Sequence, residues 1–171
     1  PYYSSAGEVQ RMDGVLLDVT ELREAQQKSE DSEAMLSAAF DSISDLLMIV
    51  DKDGNVLKIN DSFIRLCGFS RFADVPPTVA SLEEIIEVET LEGVRVPVEQ
   101  WPISRGMAGY RSEGVEIRVK RKDNPALWLG SFNVSPITND QKGGAVLIAR
   151  DITASKQQEI ELRQYLSLIH I

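Results

Sequence analysis

The residue types that carry most protein chemistry are scarce in this chain of 171 residues. It contains one cysteine, Cys67, and one histidine, His170, which precedes the last residue. A single thiol excludes an internal disulfide, a Cys-x-x-Cys redox pair and a zinc knuckle, and a Ser-His-Asp or Cys-His nucleophilic site would need the terminal histidine. The Gly-rich phosphate-binding motifs do not occur either. The inventory therefore predicts no catalytic residue, no metal site and no enzyme activity within this chain.

The charge and hydropathy of the chain argue against two further classes of partner. The formal net charge is −9 and the isoelectric point is near 4.7, whereas nucleic acids are bound by clustered Lys and Arg. The longest apolar runs are far shorter than the roughly 20 residues that cross a bilayer. We expect neither a nucleic-acid partner nor a membrane span in this chain.

A short phrase occurs twice and is the most informative pattern in the sequence. Residues 14–21 and 144–153 each run an apolar stretch into Asp-(Val/Ile)-Thr, and a polar segment of helical character follows both times. The two aspartates, Asp18 and Asp151, are 133 positions apart, the length of one small domain. A repeat at that spacing indicates an array of similar modules, each ending in a strand that leads into a helix. Such an arrangement suits a signal relay better than an enzyme.

The segment after the first repeat, residues 21–44, is predicted to be a helix. Thr20 is a suitable N-cap, and Glu21 and Glu24 are placed favourably for the helix dipole. Two interpretations stay open: a seam that pairs with a second copy, and a surface helix that packs only near Phe40. Two serines at seam positions weaken a zipper. The residues with heptad spacing are Leu22, Ala25, Ser29, Ser32, Leu36, Ala39 and Ile43.

Apolar and alternating runs predict an antiparallel sheet in the middle of the chain. Two runs flank the turn at residues 52–55, whose Asp-Gly pair is a strong hairpin signal. Residues 60–68 favour a short helix, residues 82–86 suggest one or two helical turns, and Pro102 is tolerated in the first turn of another helix. Three further runs within residues 114–151 complete the domain. The pattern indicates an α+β fold with two strands early and three late.

The chain resumes as a helix after Thr153, predicted over residues 154–164. Residues 165–171 then turn abruptly apolar, without a clear period. They fit either the start of a dimerising helix or foreign sequence from a truncated reading frame. The lack of a period favours the second interpretation.

Three stretches, taken in order, resemble the PAS family of sensory modules. Residues 40–70 are similar to the family's V-D-x-D-G, N-x-A-F and L-x-G-Y-S motifs, and residues 101–110 to its P-L-x-R-A-L-x-G helix. Residues 128–153 are similar to its W-L, P-I and D-I-T ending. The resemblance covers residues 36–153.

The resemblance also implies a division of the whole chain. Residues 1–20 resemble the C-terminal strand remnant of a preceding PAS-like module, and residues 21–35 form a linker helix. Residues 36–153 form the PAS domain. Residues 154–171 form an output linker helix, with the last of them open to the foreign-sequence interpretation.

The resemblance implies an α+β fold: a five-stranded antiparallel PAS sheet with short helices on one face, flanked by N- and C-terminal linker helices. Signals in this family pass through the terminal strand into a helix that drives a kinase or a cyclase. The joints would be Asp18 and Thr20 at the first repeat, and Asp151 and Thr153 at the second. A carboxylate and a hydroxyl there can satisfy free backbone N–H groups and hold the helix at a fixed angle. The alternative is that they only cap the helix.

Two cofactors known in the family are not expected here. Haem-binding PAS domains use an axial His within the fold, and residues 36–153 contain none. Light-sensing flavin modules carry a reactive Cys in Asn-Cys-Arg, whereas Cys67 follows Leu66 and is expected to be a small buried hydrophobe. A small organic ligand is the remaining option, although core spacing favours a filled interior. The candidate pocket residues are Ile49, Ile59, Phe63, Leu66, Ile117, Phe132 and Leu147.

The leading hypothesis is a regulatory, sensory PAS segment of a bacterial signalling protein whose output is a sensor histidine kinase. A diguanylate cyclase is the alternative output, and either would lie in the same polypeptide outside this chain. A hypothesis of a different class is a ligand-free dimerisation and spacer module. We expect a homodimer through the linker helices and a cytoplasmic location, which the family and the single cysteine favour. Membrane anchoring of the parent protein stays open.

Overall fold

A computed structural model describes residues 2–3, 9–11, 20–138 and 143–169. The chain divides into two compact units, Pro1–Ala38 and Ala39–Ile171. The first unit contains two short antiparallel strands, β1 (Tyr2–Tyr3) and β2 (Val9–Arg11). The apolar run predicted as a strand at residues 15–17 lies outside the described residues.

Helix α1 spans Thr20–Ser42 and therefore begins and ends close to the predicted residues 21–44. It has no buried residue; only Ser37 and Phe40 are half-buried, and Leu22 and Leu36 of the predicted seam are well exposed. Lys58 Nζ lies 4.5 Å from the centre of the Phe40 ring, a cation–π contact. The helix is thus polar over most of its length and packs at its C-terminal end.

The second unit is built on one antiparallel sheet. Its strands are β3 (Leu46–Asp51), β4 (Val56–Ile59), β5 (Ile86–Glu89), β6 (Ser112–Arg121), β7 (Asn124–Ile137) and β8 (Gly144–Asp151). The spatial order is β4-β3-β8-β7-β6-β5. The first and last strands of the domain, β3 and β8, are therefore neighbours in the centre of the sheet.

The sheet has six strands where five were predicted, and the additional one is β5. The expected helical turn at residues 82–86 is a helix that ends earlier, α3 (Val79–Leu82), after which the chain pairs with β6. In β5, Ile86 and Val88 face the core, and the residues that alternate with them, Glu87 and Glu89, are partly exposed. This period of two is the signal of a strand. Strand β5 is only four residues long, however, and glutamates, which favour helices, precede it.

The predicted hairpin connects β3 to β4, and the carboxylate of Asp51 organises its turn. Asp51 Oδ1 accepts from the N–H groups of Asp53 and Asn55, both at 2.9 Å, and Oδ2 accepts from Asn55 Nδ2 at 2.8 Å. Gly54 has φ +83°, a left-handed conformation that favours glycine. The Asn55 amide holds the pKa of Asp51 below its usual value. Local chemistry is therefore sufficient to fix this turn.

Three short helices cover one face of the sheet: α2 (Asp61–Leu66), α3 and α4 (Pro102–Met107). Pro102 is the first residue of α4, as predicted, and a β-carbon on Gly106 would lie 2.6 Å from Val134 and 3.0 Å from Ala145. Helix α4 thus approaches the sheet as closely as a glycine permits. The core forms between these helices and the inner face of the sheet.

Helix α5 spans Thr153–Ile169, so it continues through the apolar segment that was predicted to lack helical period. Its apolar residues Leu162, Tyr165, Leu166 and Ile169 are all well exposed, and their i, i+3, i+4, i+7 spacing places them on one side of the helix. His170 lies outside the described residues. None of the helices in the described part of the chain combines the length and apolar character that crossing a bilayer requires.

Candidate functional site

The predicted coupling residues Asp151 and Thr153 meet at the junction between β8 and α5. Thr153 is the first residue of α5, and its hydroxyl donates to Asp151 Oδ1 at 2.6 Å. The same hydroxyl oxygen accepts from the N–H of Leu129 at 2.8 Å. Asp151 Oδ1 also accepts from the Thr153 N–H at 2.9 Å, which gives one donor of the first helical turn a partner that the helix itself cannot supply.

Leu129 on β7 holds this junction with both of its backbone groups. Its N–H donates to Thr153, and its C=O accepts from the Ile152 N–H at 2.8 Å. These bonds extend the β7–β8 ladder past its last pair, in which Gly130 lies opposite Asp151. The base of α5 is therefore bonded to the neighbouring strand as well as to β8.

A charged contact attaches α5 to a third strand. Lys156 Nζ, near the start of the helix, lies 3.0 Å from Glu116 Oε2 on β6. Both side chains are about one-third exposed, so solvent weakens the pair but does not remove it. The start of α5 is thus bonded to β6, β7 and β8.

A buried amide organises the chain between α1 and β3. Asn60 is fully buried, and its Oδ1 accepts from the N–H groups of Leu47 and Phe63, at 2.9 and 3.0 Å. Its Nδ2 donates to the carbonyls of Asp45 and Ile43, at 2.9 and 3.1 Å. Asn60 was predicted only as a cap of the short helix that follows it. It caps α2 and also binds the segment that connects α1 to the sheet.

An ion pair joins this connecting segment to the β8–α5 junction. Arg150 Nε lies 3.1 Å from Asp45 Oδ1, and Arg150 Nη2 lies 2.9 Å from Asp45 Oδ2, which raises the pKa of Arg150. Asp45 precedes β3 and Arg150 precedes Asp151, and the two strands pair with Leu46 opposite Ala149. The segment after α1 and the start of α5 therefore meet at the same end of two adjacent strands.

An apolar cavity of about 60 Å³ lies between the sheet and the helices. Four of the seven predicted pocket residues line it, namely Phe63, Ile117, Phe132 and Leu147, and all four are buried. The volume corresponds to about two waters. Because the lining is apolar and offers a water no hydrogen-bond partners, we expect the cavity to be dry.

The other three predicted pocket residues lie away from this cavity. Ile49 is on the opposite face of β3 from the cavity-lining Met48, because successive side chains of a strand alternate. Ile59 is buried in the core without lining the cavity, and Leu66, partly buried at the end of α2, borders a separate cleft. The binding of a small organic ligand stays a prediction.

The first repeat is only partly described. Thr20 is the first residue of α1, as Thr153 is of α5, whereas Asp18 lies outside the described residues. The coupling role of the four junction residues stays a prediction.

The sequence matches the family model described as a PAS domain over residues 44–154. The chain belongs to the PAS family. The match covers more than half of the chain, and apart from residue 154 it lies within residues 36–153, the part that resembled PAS modules. A search of the curated proteins finds no match.

Solved structures, two of them described as PAS domains, share the fold at low sequence identity. The PAS domain of an HTR-like protein from Haloarcula marismortui has a TM-score of 0.57 and 17% identity, over 76% of this chain and 99% of that chain. The E. coli DhaR(N)-DhaL complex has a TM-score of 0.54 and 16% identity, over 78% and 40%. The PAS domain of nitrogen regulation protein NR(II) from Vibrio parahaemolyticus has a TM-score of 0.50 and 16% identity, over 68% and 96%. At such identities the similarity establishes the PAS fold alone.

Two features of this PAS domain bear on haem and flavin binding. Residues 36–153 contain no histidine to bind haem iron. Cys67 is buried, and burial raises the pKa of its thiol to about 12, against a smaller opposing effect of Arg121. The thiol is therefore neutral and unreactive at physiological pH. Among the described residues, no group of three or more His, Cys, Asp or Glu is placed to hold a metal ion.

Sequence reasoning missed several residues of this PAS domain. Trp101 and Trp128 line the cavity, and only their size and aromatic character could have suggested it. The pairing of Asp45 with Arg150 had no local signal, since 105 positions separate the two residues. These contacts depend on strand register.

Proposed function

We propose that this PAS domain relays a change from the segment after α1, or from the cavity, through the β8–α5 junction to an output domain in the same polypeptide. The observation that carries the proposal is the hydrogen bonding of Thr153 to both Asp151 and Leu129. A helix fixed at its base to the sheet is a rigid lever, so a small shift of β7 or β8 changes its direction. Capping alone would not require the bond to Leu129.

The contact between Asp45 and Arg150 supports the input side of the relay. It connects the residue before β3 with the residue before the output junction. A displacement of α1 would act on the segment that Asn60 holds and, through this ion pair, on the start of α5. This route is independent of any ligand in the cavity.

We favour a sensor histidine kinase as the output, on the family resemblance, and a diguanylate cyclase as the alternative. The gene on both sides of this chain distinguishes them. A phosphoacceptor-His helix followed by an ATP-binding domain supports the kinase, and a cyclase domain supports the alternative. In the full-length protein, Thr153→Val should then alter the response of autophosphorylation or cyclase activity to the stimulus, and Thr153→Ser should not.

We propose no haem and no flavin adduct for this domain, and at most a small apolar ligand. The support is the missing histidine, the buried neutral thiol of Cys67 and a cavity of only about 60 Å³. Native mass spectrometry of the purified chain tests the proposal. A retained mass of haem or flavin size would overturn it.

We propose that the chain forms a homodimer through its linker helices, with a ligand-free dimerisation and spacer role as the second candidate function. The exposed apolar residues Leu162 and Leu166 on α5 and Leu36 on α1 support it. Sedimentation analysis of Leu162→Glu and Leu166→Glu, with Gln164→Glu on the opposite, exposed side of α5 as control, tests the α5 contribution. Loss of dimers on removing residues 1–30, with no ligand bound, would favour the spacer.

We propose a cytoplasmic location for the domain. A single cysteine that is buried and unpaired fits a reducing compartment, since secreted domains of this size commonly use disulfides. Cell fractionation of the full-length protein, with proteolysis from either side of the membrane, tests the proposal. Protection of this domain only in a non-cytoplasmic compartment would refute it.

A further inference from the structure

Two aromatic rings are stacked over a glycine at the point where β7 meets both the cavity and the output junction. The ring centres of Trp128 and Phe132 are 5.6 Å apart, with 29° between the ring planes. Gly130 lies between them in the sequence, and a β-carbon there would overlap the Phe132 ring and lie 2.6 Å from the Trp128 ring. The rings therefore occupy the space that any other residue at position 130 would fill. Both rings line the cavity.

The backbone beside these rings is the backbone that holds α5. Leu129 follows Trp128, and its N–H and C=O bind Thr153 and Ile152. Gly130 pairs with Asp151 on one side and with the cavity-lining Ile117 of β6 on the other. The paired residues Ile117, Gly130 and Asp151 thus form one row across three strands, from the cavity wall to the junction.

We infer that the Trp128–Phe132 pair over Gly130 couples the cavity to the junction: an apolar occupant that separates the rings displaces Leu129 and loosens its two bonds to the base of α5. The inference rests on the proposed relay and names its moving part. Close-packed interiors transmit displacement because they contain little space to absorb it. A shift of a few tenths of an ångström at both rings must be taken up by the three residues between them. All three are paired with β6, but Leu129 is the one whose N–H and C=O bind the base of α5, so its displacement strains those two bonds.

Amide hydrogen exchange of the isotope-labelled chain measures this coupling directly. Xenon, a probe for dry apolar cavities, is dissolved under pressure and located by shifts of the Ile117 and Leu147 methyl signals. We expect the amide of Leu129 to exchange about 5- to 10-fold faster with xenon bound, the effect of weakening one hydrogen bond. The amide of Asp51, which donates to the Asn55 carbonyl at 3.0 Å in the β3–β4 hairpin, should stay constant. Methyl shifts without a change at Leu129 would overturn the coupling.

Substitutions test the same coupling without a ligand. In Gly130→Ala the new methyl must displace the rings, so Leu129 and Ile152 should exchange about tenfold faster than in the unsubstituted chain. Ser131→Ala, next along β7 and on the other face, is the matched control and should leave both rates unchanged. Unchanged exchange in Gly130→Ala, with the Trp128 indole signal shifted, would refute the inference.

A second variant keeps the inference testable if Gly130→Ala does not fold. Phe132→Leu removes the ring contact without adding volume, and the xenon response of the Leu129 amide should then disappear. Persistence of the response in this variant would also refute the coupling. Absence of xenon from the cavity of the unsubstituted chain would count against a ligand role for the cavity, whereas Gly130→Ala would still decide the coupling. Thr153→Val decides the relay itself, because it acts downstream of the rings.

Discussion

Replacing Thr153 with valine removes the hydroxyl at the centre of the β8–α5 junction while keeping the shape of the side chain. Two hydrogen bonds disappear: the bond donated to Asp151 and the bond accepted from the Leu129 N–H. The Leu129 N–H then has no partner from α5. The start of the helix keeps the backbone bond from Ile152 and the contact between Lys156 and Glu116.

The expected cost follows from these two bonds. A neutral hydrogen bond contributes about 0.5–1.5 kcal/mol and one to a charged group somewhat more, and loss of a helix cap costs about 0.5–2 kcal/mol. Because Thr153 and Asp151 are exposed, water replaces part of the loss, and we expect about 1–2 kcal/mol. That cost corresponds to a roughly 5- to 30-fold larger population of molecules in which the base of α5 is detached from the sheet. The core is untouched, so global stability should change less.

Native-state hydrogen exchange of the Leu129 and Ile152 amides measures this population, and urea unfolding of the same samples measures global stability. Thr153→Ser is the control, since it keeps the hydroxyl and both bonds. Exchange at Leu129 that is the same in Thr153→Val as in the unsubstituted chain would refute the reasoning. Equal acceleration in the serine and valine variants would refute it as well, because the hydroxyl would then not be the cause.

Three further perturbations have defined outcomes. Asn60→Ala should lower the free energy of unfolding in urea by about 3 kcal/mol or more, because the buried partners of its amide lose their hydrogen bonds; Asn55→Ala, in an exposed turn, should cost clearly less. Gly106→Ala should destabilise by about 1–3 kcal/mol, since the methyl overlaps Val134 and overpacks the α4–sheet contact; an unchanged thermal midpoint would contradict this. Cys67 has its pKa raised from 9.0 to about 12, so the folded state favours the neutral thiol. The contribution of Cys67 to the free energy of unfolding is therefore fully present below pH 9, and above pH 9 it falls by up to about 1.4 kcal/mol per pH unit. The Cys67→Ala variant should lack this part of the alkaline loss of stability.

Much of the fold could be predicted because its signals are local. The hairpin depends on Asp51 and Gly54, which lie within four positions of each other, and the start of α2 depends on Asn60 accepting from an N–H three residues on. The PAS fold and its antiparallel sheet are confirmed. Strand β5 was missed because its alternation is short and glutamates, which favour helices, lie within and before it.

The candidate site was predicted in part. The sequence pointed to Asp151 and Thr153 through the repeated Asp-(Val/Ile)-Thr phrase, and an N-terminal cap could be inferred from residue types alone. The bond from Leu129 to Thr153 could not, because it joins residues 24 positions apart. Ile49 was placed in the pocket although it lies on the outer face of β3, where a continuous apolar run does not reveal which side chains point inward.

By itself, the sequence determined the kind of module: its motifs pointed to a PAS domain, and short patterns with fixed turn and cap residues indicated most of the elements and their order. Those signals act within a few residues of the chain, so they can be recognised before the chain folds. The tertiary structure alone decided where the cavity lies and how the segment after α1 is joined to the start of α5. The pairing of Asp45 with Arg150 and the bond from Leu129 to Thr153 both join neighbouring strands or their ends, so both depend on strand register, and register is set by packing of the whole core.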